Sequence, residues 1–222
     1  MKNLVVAALS FAAVALGAAH AAPQPIVGGS TAVSLTSQAS NALAGFGIAF
    51  APINGSPGAP GVVLFDITGG VLDLTTLAGT IEHAGAGVSL TRNDQQAVAS
   101  NLLIDTVAQQ VFADVTFDSD ITDAVAPVSI ATNTAIFDFD LATFDLTQLG
   151  NLANPQLPLF LSAGLIALLD TQFDVQVPAD FQFASAATAP EVANGVVPLP
   201  GALGLFALGA GVFGFAARRK AA

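Results

Sequence analysis

Between residues 62 and 141 the chain repeats one pattern, short runs rich in Val, Ile, Leu, Thr and Phe broken by glycine or Asx-type turns. Extended runs are read at 62–67, 71–77, 80–83, 88–91, 98–104 and 111–117, with bends at 68–70, 85–87, 92–96 and 105–110. Short strands spaced about eight to twelve residues apart indicate antiparallel pairing through tight turns. The segment Ile136-Phe137-Asp138-Phe139-Asp140-Leu141 is the strictest case. Its period of two puts Phe137, Phe139 and Leu141 on one face and Asp138 and Asp140 on the other, which is a half-buried strand. The expected fold is therefore mainly β, an antiparallel sandwich or open barrel with one short helix.

That helix is placed at 163–173, where Ser162 can act as N-cap and Leu165, Ile166, Leu168, Leu169 and Phe173 recur at helical spacing. A buried strand is an alternative for 157–161, and 128–130 and 181–183 add further short strands. The β-rich domain is bounded at 61–183. Residues 22–60, dominated by Gly, Ser, Ala and Pro, read as a loosely structured segment with one short strand at 46–50 and a turn-rich loop at 54–61. Residues 184–196 read as an alanine-rich linker.

The two ends differ from this middle. Residues 1–21 begin with Lys2, continue as an apolar run, and finish in Ala19-His20-Ala21, the small-x-small pattern of a signal peptidase site. An uncleaved anchor is the other reading of that stretch. At the far end, residues 197–222 comprise Val197-Pro198-Leu199-Pro200, an uncharged run at 201–217 and the basic cluster Arg218, Arg219, Lys220. An uncharged run of that length is just enough for a membrane-spanning helix, which needs roughly 17 to 25 residues. Basic residues hold their end of such a helix in the cytoplasm. The prolines keep the preceding strip extended.

This order of proline motif, span and basic end resembles the VPLPA-type tails of the PEP-CTERM group, with Gly201 where that group usually has alanine. The resemblance implies an exported protein of a Gram-negative bacterium, anchored transiently in the inner membrane and processed by an exosortase-like enzyme. A permanent single-pass anchor is the other reading of the tail.

Charge and composition exclude several functions. All sixteen acidic residues lie between Asp66 and Glu191, and Arg92 is the only Lys or Arg between residues 3 and 217. Nucleic acid is disfavoured as a partner and none is expected, since phosphate binding needs clustered cations. With no cysteine, thiol catalysis, disulfides and cysteine zinc sites are excluded as well. His83 is the only histidine after residue 20, and no G-x-S-x-G accompanies any serine, so a hydrolytic triad is not expected. The chain has neither Trp nor Tyr to form the aromatic platforms on which glycosidases commonly seat sugars.

The run Gly79 to Gly85, the turn Leu103-Ile104-Asp105-Thr106 and the step from Leu159 to Leu169 are similar to HtaA-like bacterial surface domains. That family is linked to haem uptake, but the tyrosine and paired histidine of such a site have no counterpart here, so haem is not carried over. Asp114, Asp118, Asp120 and Asp123 form an acidic cluster with hard oxygen donors suited to calcium, and equally readable as a solvated turn.

Two readings of function follow. One is a noncatalytic surface or matrix protein with a structural or adhesive role, its expected partners being signal peptidase, the exosortase-like enzyme and exopolysaccharide or surface matrix. The other is a secreted module binding a small ligand or calcium. A pocket lined by converging polar groups favours the second reading, and a filled core with an evenly acidic surface favours the first.

Overall fold

The structure is a computed structural model and describes residues 23–142 and 144–193. The expected signal helix with Ala19 and Ala21, the sorting motif 197–200 and the basic tail end lie outside the described residues.

Among the described residues eleven antiparallel strands and two α-helices follow one another in chain order. β1 (Gln24–Leu35) leads to α1 (Ser37–Gly45), then β2 (Ala49–Ile53), β3 (Gly55–Pro57), β4 (Val62–Asp66) and β5 (Gly69–Leu72). The long strands β6 (Gly79–Arg92), β7 (Gln95–Asp105), β8 (Gln110–Asp118) and β9 (Val128–Asp138) form a meander. β10 (Leu157–Leu161), α2 (Ala163–Phe173) and β11 (Gln182–Val192) complete the order.

Pairing runs β11-β10-β9-β8-β7-β6-β5-β1, and β1 pairs again with β11. The circuit of eight strands thus closes on itself as a barrel, with β4 and β3 continuing outward from β1, and β2 beside β6. The ladder that closes it, β1–β11, runs from Ile26 opposite Val192 to Leu35 opposite Ala184. Two seams are thin: β9 meets β10 only through Phe137 and Asp138, and β5 meets β1 only through Gln24 and Pro25.

The meander strands bend because the face that points inward changes along them. On β6, Ile81 and His83 are buried with odd numbers, whereas beyond Gly85 it is Val88 and Leu90 that pack on the core. A bulge between His83 and Gly87 makes the switch. Its neighbours repeat the device, so that positive φ occurs at Asn54 (52°), Gly85 (75°), Asn101 (55°) and Asn133 (45°). These residues are tied in a row across the outside of the sheet. Asn54 Nδ2 donates to the Gly85 carbonyl at 2.9 Å, and the Gly85 N–H donates to Asn101 Oδ1 at 2.9 Å. Asp114 then accepts from Asn101 Nδ2 at 3.0 Å on one oxygen and from the Asn133 N–H at 3.0 Å on the other. Asn and Gly tolerate this backbone region better than other residues, which is why they occupy the row.

α2 forms as expected. The Ser162 hydroxyl accepts from the Leu165 N–H at 3.1 Å and also donates to the Ala135 carbonyl, joining the helix start to β9. Its apolar side buries Leu169 and Phe173, and the Phe173 ring meets Phe117 edge-on at 5.8 Å. Arg92 donates to the Phe173 carbonyl at the helix C-terminus. The chain then turns away through Asp174, whose φ is 52°.

Three expectations differ from the structure. Residues 22–60 are ordered rather than loose: they supply β1, α1, β2 and β3, and Thr36 caps α1 through the Ala39 N–H at 3.0 Å. Residues 184–192 belong to β11 rather than to a linker. The domain accordingly starts before residue 61 and continues past 183. Both segments are made of small residues, whose weak hydrophobic periodicity conceals strands packed on two faces. Ala32, at 0% exposure, and Ala187, at 1%, lie together with Val62 on the outer side of the barrel wall. Finally, 128–138 is one strand and not two short ones, and 157–161 is a strand.

Candidate functional site

The barrel is filled unequally. Toward α2 its inner residues Leu90, Ala97, Ala99 and Val115 are covered by Leu165, Leu168, Leu169 and Phe173. Phe183 packs against Phe50 at 6.3 Å and stacks on Phe137 at 5.7 Å, and the three rings form a floor across the interior. Beyond that floor lies a cavity of about 360 Å³. Volumes of roughly 300 Å³ and upward are those of small-molecule sites.

The cavity exists because β11 brings small side chains to a place where the opposite wall cannot reach. Ala184 and Ala186 face inward from β11, and Val111, Leu157 and Leu159 line the cavity around them. At the mouth stand Leu74, which is 50% exposed, Leu77, Leu141 and Leu149. Leu77 holds a φ of 58°, costly for a branched side chain, within a turn closed by Asp73, whose carboxylate accepts from the Thr75 and Thr76 N–H groups at 2.7 and 3.2 Å.

Among the described residues only Thr31, His83, Thr106 and Thr188 give the cavity a polar side chain, and none gives it a charged one. The Thr106 hydroxyl is consumed at the rim, accepting from the Gly79 N–H at 2.8 Å and donating to the Gly79 carbonyl at 2.9 Å. The other three form a line. His83 Nε2 lies 2.9 Å from Thr31 Oγ1, which lies 3.0 Å from Thr188 Oγ1, Thr31 and Thr188 being register partners on β1 and β11.

Burial governs His83. Only 2% of the residue is exposed, and desolvation lowers its pKa from 6.5 to about 4, against smaller opposing effects of the Leu102 backbone and the Asp66 charge. The Leu102 backbone lies close enough to favour the charged ring, yet no hydrogen bond of good geometry reaches Nδ1. A histidine with so low a pKa is a weak base at neutral pH. No carboxylate is hydrogen-bonded to its ring among the described residues, so Thr31 and His83 lack the third member that orients a nucleophile and its base.

The four aspartates read as candidate calcium ligands are engaged separately. Asp114 bridges Asn101 and Asn133, and these bonds lower its pKa. Asp118 accepts from the Asp120 N–H at 3.0 Å, Asp120 from the N–H and hydroxyl of Thr122, and Asp123 from the Val125 N–H at 2.7 Å. Among the described residues no three His, Cys, Asp or Glu side chains come together as a metal-holding group. Sequence reading singled out His83 but missed Thr31 and Thr188, because hydroxyls in an alanine and serine background carry no signal until the two strands are paired.

Comparison with known proteins bears on the ends and on the fold. A family model described as a PEP-CTERM protein-sorting motif matches residues 196–220, so the chain carries a sorting signal that implies export and processing by an exosortase-like enzyme. The crystal structure of the C-terminal domain of HtaA from Corynebacterium glutamicum is similar in fold, with a TM-score of 0.52 at 12% identity over 77% of this chain and 99% of that one. A domain-swapped dimer of a histidine-to-alanine variant of that domain aligns with a TM-score of 0.45 at 12% identity, covering 68% of this chain and 89% of that one. No similar protein was found among curated sequences.

Proposed function

We propose that this chain is an exported, noncatalytic domain that binds a small apolar molecule inside its barrel, at the cell surface or beyond it. The observation that carries the reading is the cavity of about 360 Å³, walled almost wholly by carbon and floored by Phe50, Phe137 and Phe183. Structural or adhesive proteins have no need of such a void. An unfilled apolar volume forfeits packing energy, about 24 cal/mol per Å³ in core truncations. The acidic exterior fits a soluble carrier held apart from its neighbours outside the cell. Signal peptidase and the exosortase-like enzyme are the partners this route needs, with exopolysaccharide a contact of the acidic surface. No calcium or other cofactor enters the reading.

The test is uptake of the neutral fluorophore N-phenyl-1-naphthylamine by the full chain and by its Ala186→Leu variant, which puts a larger side chain into the void. Saturable uptake by the wild type, weakened tenfold or more in a variant that melts no lower, is the expected result. Should Ala186→Leu disturb folding, Val33→Phe fills the same space from β1. Equal uptake by wild type and a folded filled variant places the fluorophore elsewhere and sinks the proposal.

A further inference from the structure

The geometry points to a ligand class: neutral, mostly hydrocarbon molecules carrying one hydroxyl or carbonyl group, taken in preference to carboxylates and phosphates of the same chain length. This inference rests on the binding reading above and concerns what the cavity selects.

Charge is the first argument. No charged side chain lines the cavity among the described residues, and the one cation of the domain, Arg92, is fastened to the Phe173 carbonyl at the end of α2. An anion brought inside has no counter-ion, and the cost of burying an unpaired charge is several kcal/mol. The approach is unfavourable too, because sixteen carboxylates against one cation give the domain as a whole a negative field. The turns bordering the mouth also carry exposed apolar groups: Leu74 is 50% and Val107 is 71% exposed.

The second argument is the hydrogen-bond line. His83 is neutral at physiological pH and has two tautomers. With the proton on Nε2, His83 donates to Thr31, Thr31 donates to Thr188, and the Thr188 hydroxyl proton is free for a ligand carbonyl. With the proton on Nδ1, Thr31 donates to His83, Thr188 donates to Thr31, and the oxygen of Thr188 is left to accept from a ligand hydroxyl. The buried end of the line therefore lets its half-buried end act as donor or acceptor without moving a heavy atom. One adaptable neutral contact inside a hydrocarbon wall matches alcohols, esters and ketones. It offers an anion a single hydrogen bond and no compensating charge.

The experiment is displacement of N-phenyl-1-naphthylamine from the full chain at pH 7.5 by dodecan-1-ol, methyl dodecanoate and dodecanoate. The alcohol and the ester are expected to displace the fluorophore at concentrations at least tenfold below dodecanoate. Dodecanoate equal to or better than the alcohol overturns the inference while leaving the binding reading in place. Absence of any uptake overturns both. Thr188→Lys brings an ammonium group to the mouth end of the line and is expected to improve displacement by dodecanoate at least tenfold. Thr188→Val, nearly isosteric, is expected to weaken the alcohol about fivefold, the loss of one neutral hydrogen bond of about 1 kcal/mol. An alcohol affinity unchanged in a folded Thr188→Val variant removes the hydrogen-bond line from the inference and overturns it.

Discussion

His83 Nε2 sits 2.9 Å from the Thr31 hydroxyl, a bond between β6 and β1 that anchors a neutral imidazole inside an apolar barrel. Its pKa is about 4 in the folded chain and 6.5 when free, so the unfolded chain binds the proton first as pH falls. The sign follows: stability attached to His83 is complete above pH 6.5, declines as pH drops, and is gone below about 4. That gap corresponds to about 3 kcal/mol. Urea unfolding at several pH values checks it. The wild type should lose stability between pH 6.5 and 4 more steeply than His83→Leu, and parallel curves would rule the assignment out.

Asp114 holds the row of bulges by accepting from both Asn101 and Asn133, so its replacement should loosen β7, β8 and β9 together. Asp114→Ala is expected to cost about 1–2 kcal/mol, the size of one or two hydrogen bonds at an exposed site. Calcium discriminates this role from a ligand role. Equal losses with and without millimolar calcium support the latch, whereas a loss seen only with calcium present identifies a bound ion.

Arg92 caps α2 from a neighbouring strand, placing a positive charge where the helix dipole is negative. Arg92→Gln should destabilise the domain by about 1 kcal/mol, and Arg92→Lys by less. Chemical denaturation of the three proteins checks the order. An Arg92→Gln chain as stable as the wild type would separate the contact from the stability of α2.

Strands with large alternating side chains were legible in part: Phe137, Phe139 and Leu141 share the cavity side as their spacing indicated, but β9 ends at Asp138, before Phe139 and Leu141. The Ser162 cap of α2 was legible as well. The break read at 85–87 is real in a different sense: the inward face changes there, from Ile81 and His83 to Val88 and Leu90, while the strand continues through a bulge. What could not be read was β1 with β11. Gly, Ser and Ala give little periodicity, and the partner of Thr31, Thr188, lies 157 residues away. The alanine content that made residues 184–196 resemble a linker is the same property that leaves the cavity open, since Ala184 and Ala186 occupy less of the barrel than Val or Leu would. The candidate site was hidden for the reason that it is empty.

The sorting motif at 196–220 implies processing by an exosortase-like enzyme, and this processing is expected to remove the tail at the proline strip. Proline disfavours helix at and just before its own position, and an extended segment is what a protease cleft accepts along its backbone. Replacing both Pro198 and Pro200 with alanine removes that restriction and is expected to make the strip a poorer substrate. Mass spectrometry of fractionated cells checks this. Wild-type mature protein should lack Arg218, Arg219 and Lys220 and appear in the surface or extracellular fraction, whereas Pro198→Ala/Pro200→Ala should retain all three and remain with the inner membrane. Loss of the tail removes three of the five cations of the chain, so the released domain becomes more acidic as well as detached. An intact tail on every mature wild-type molecule would show instead that the run at 201–217 is a permanent anchor.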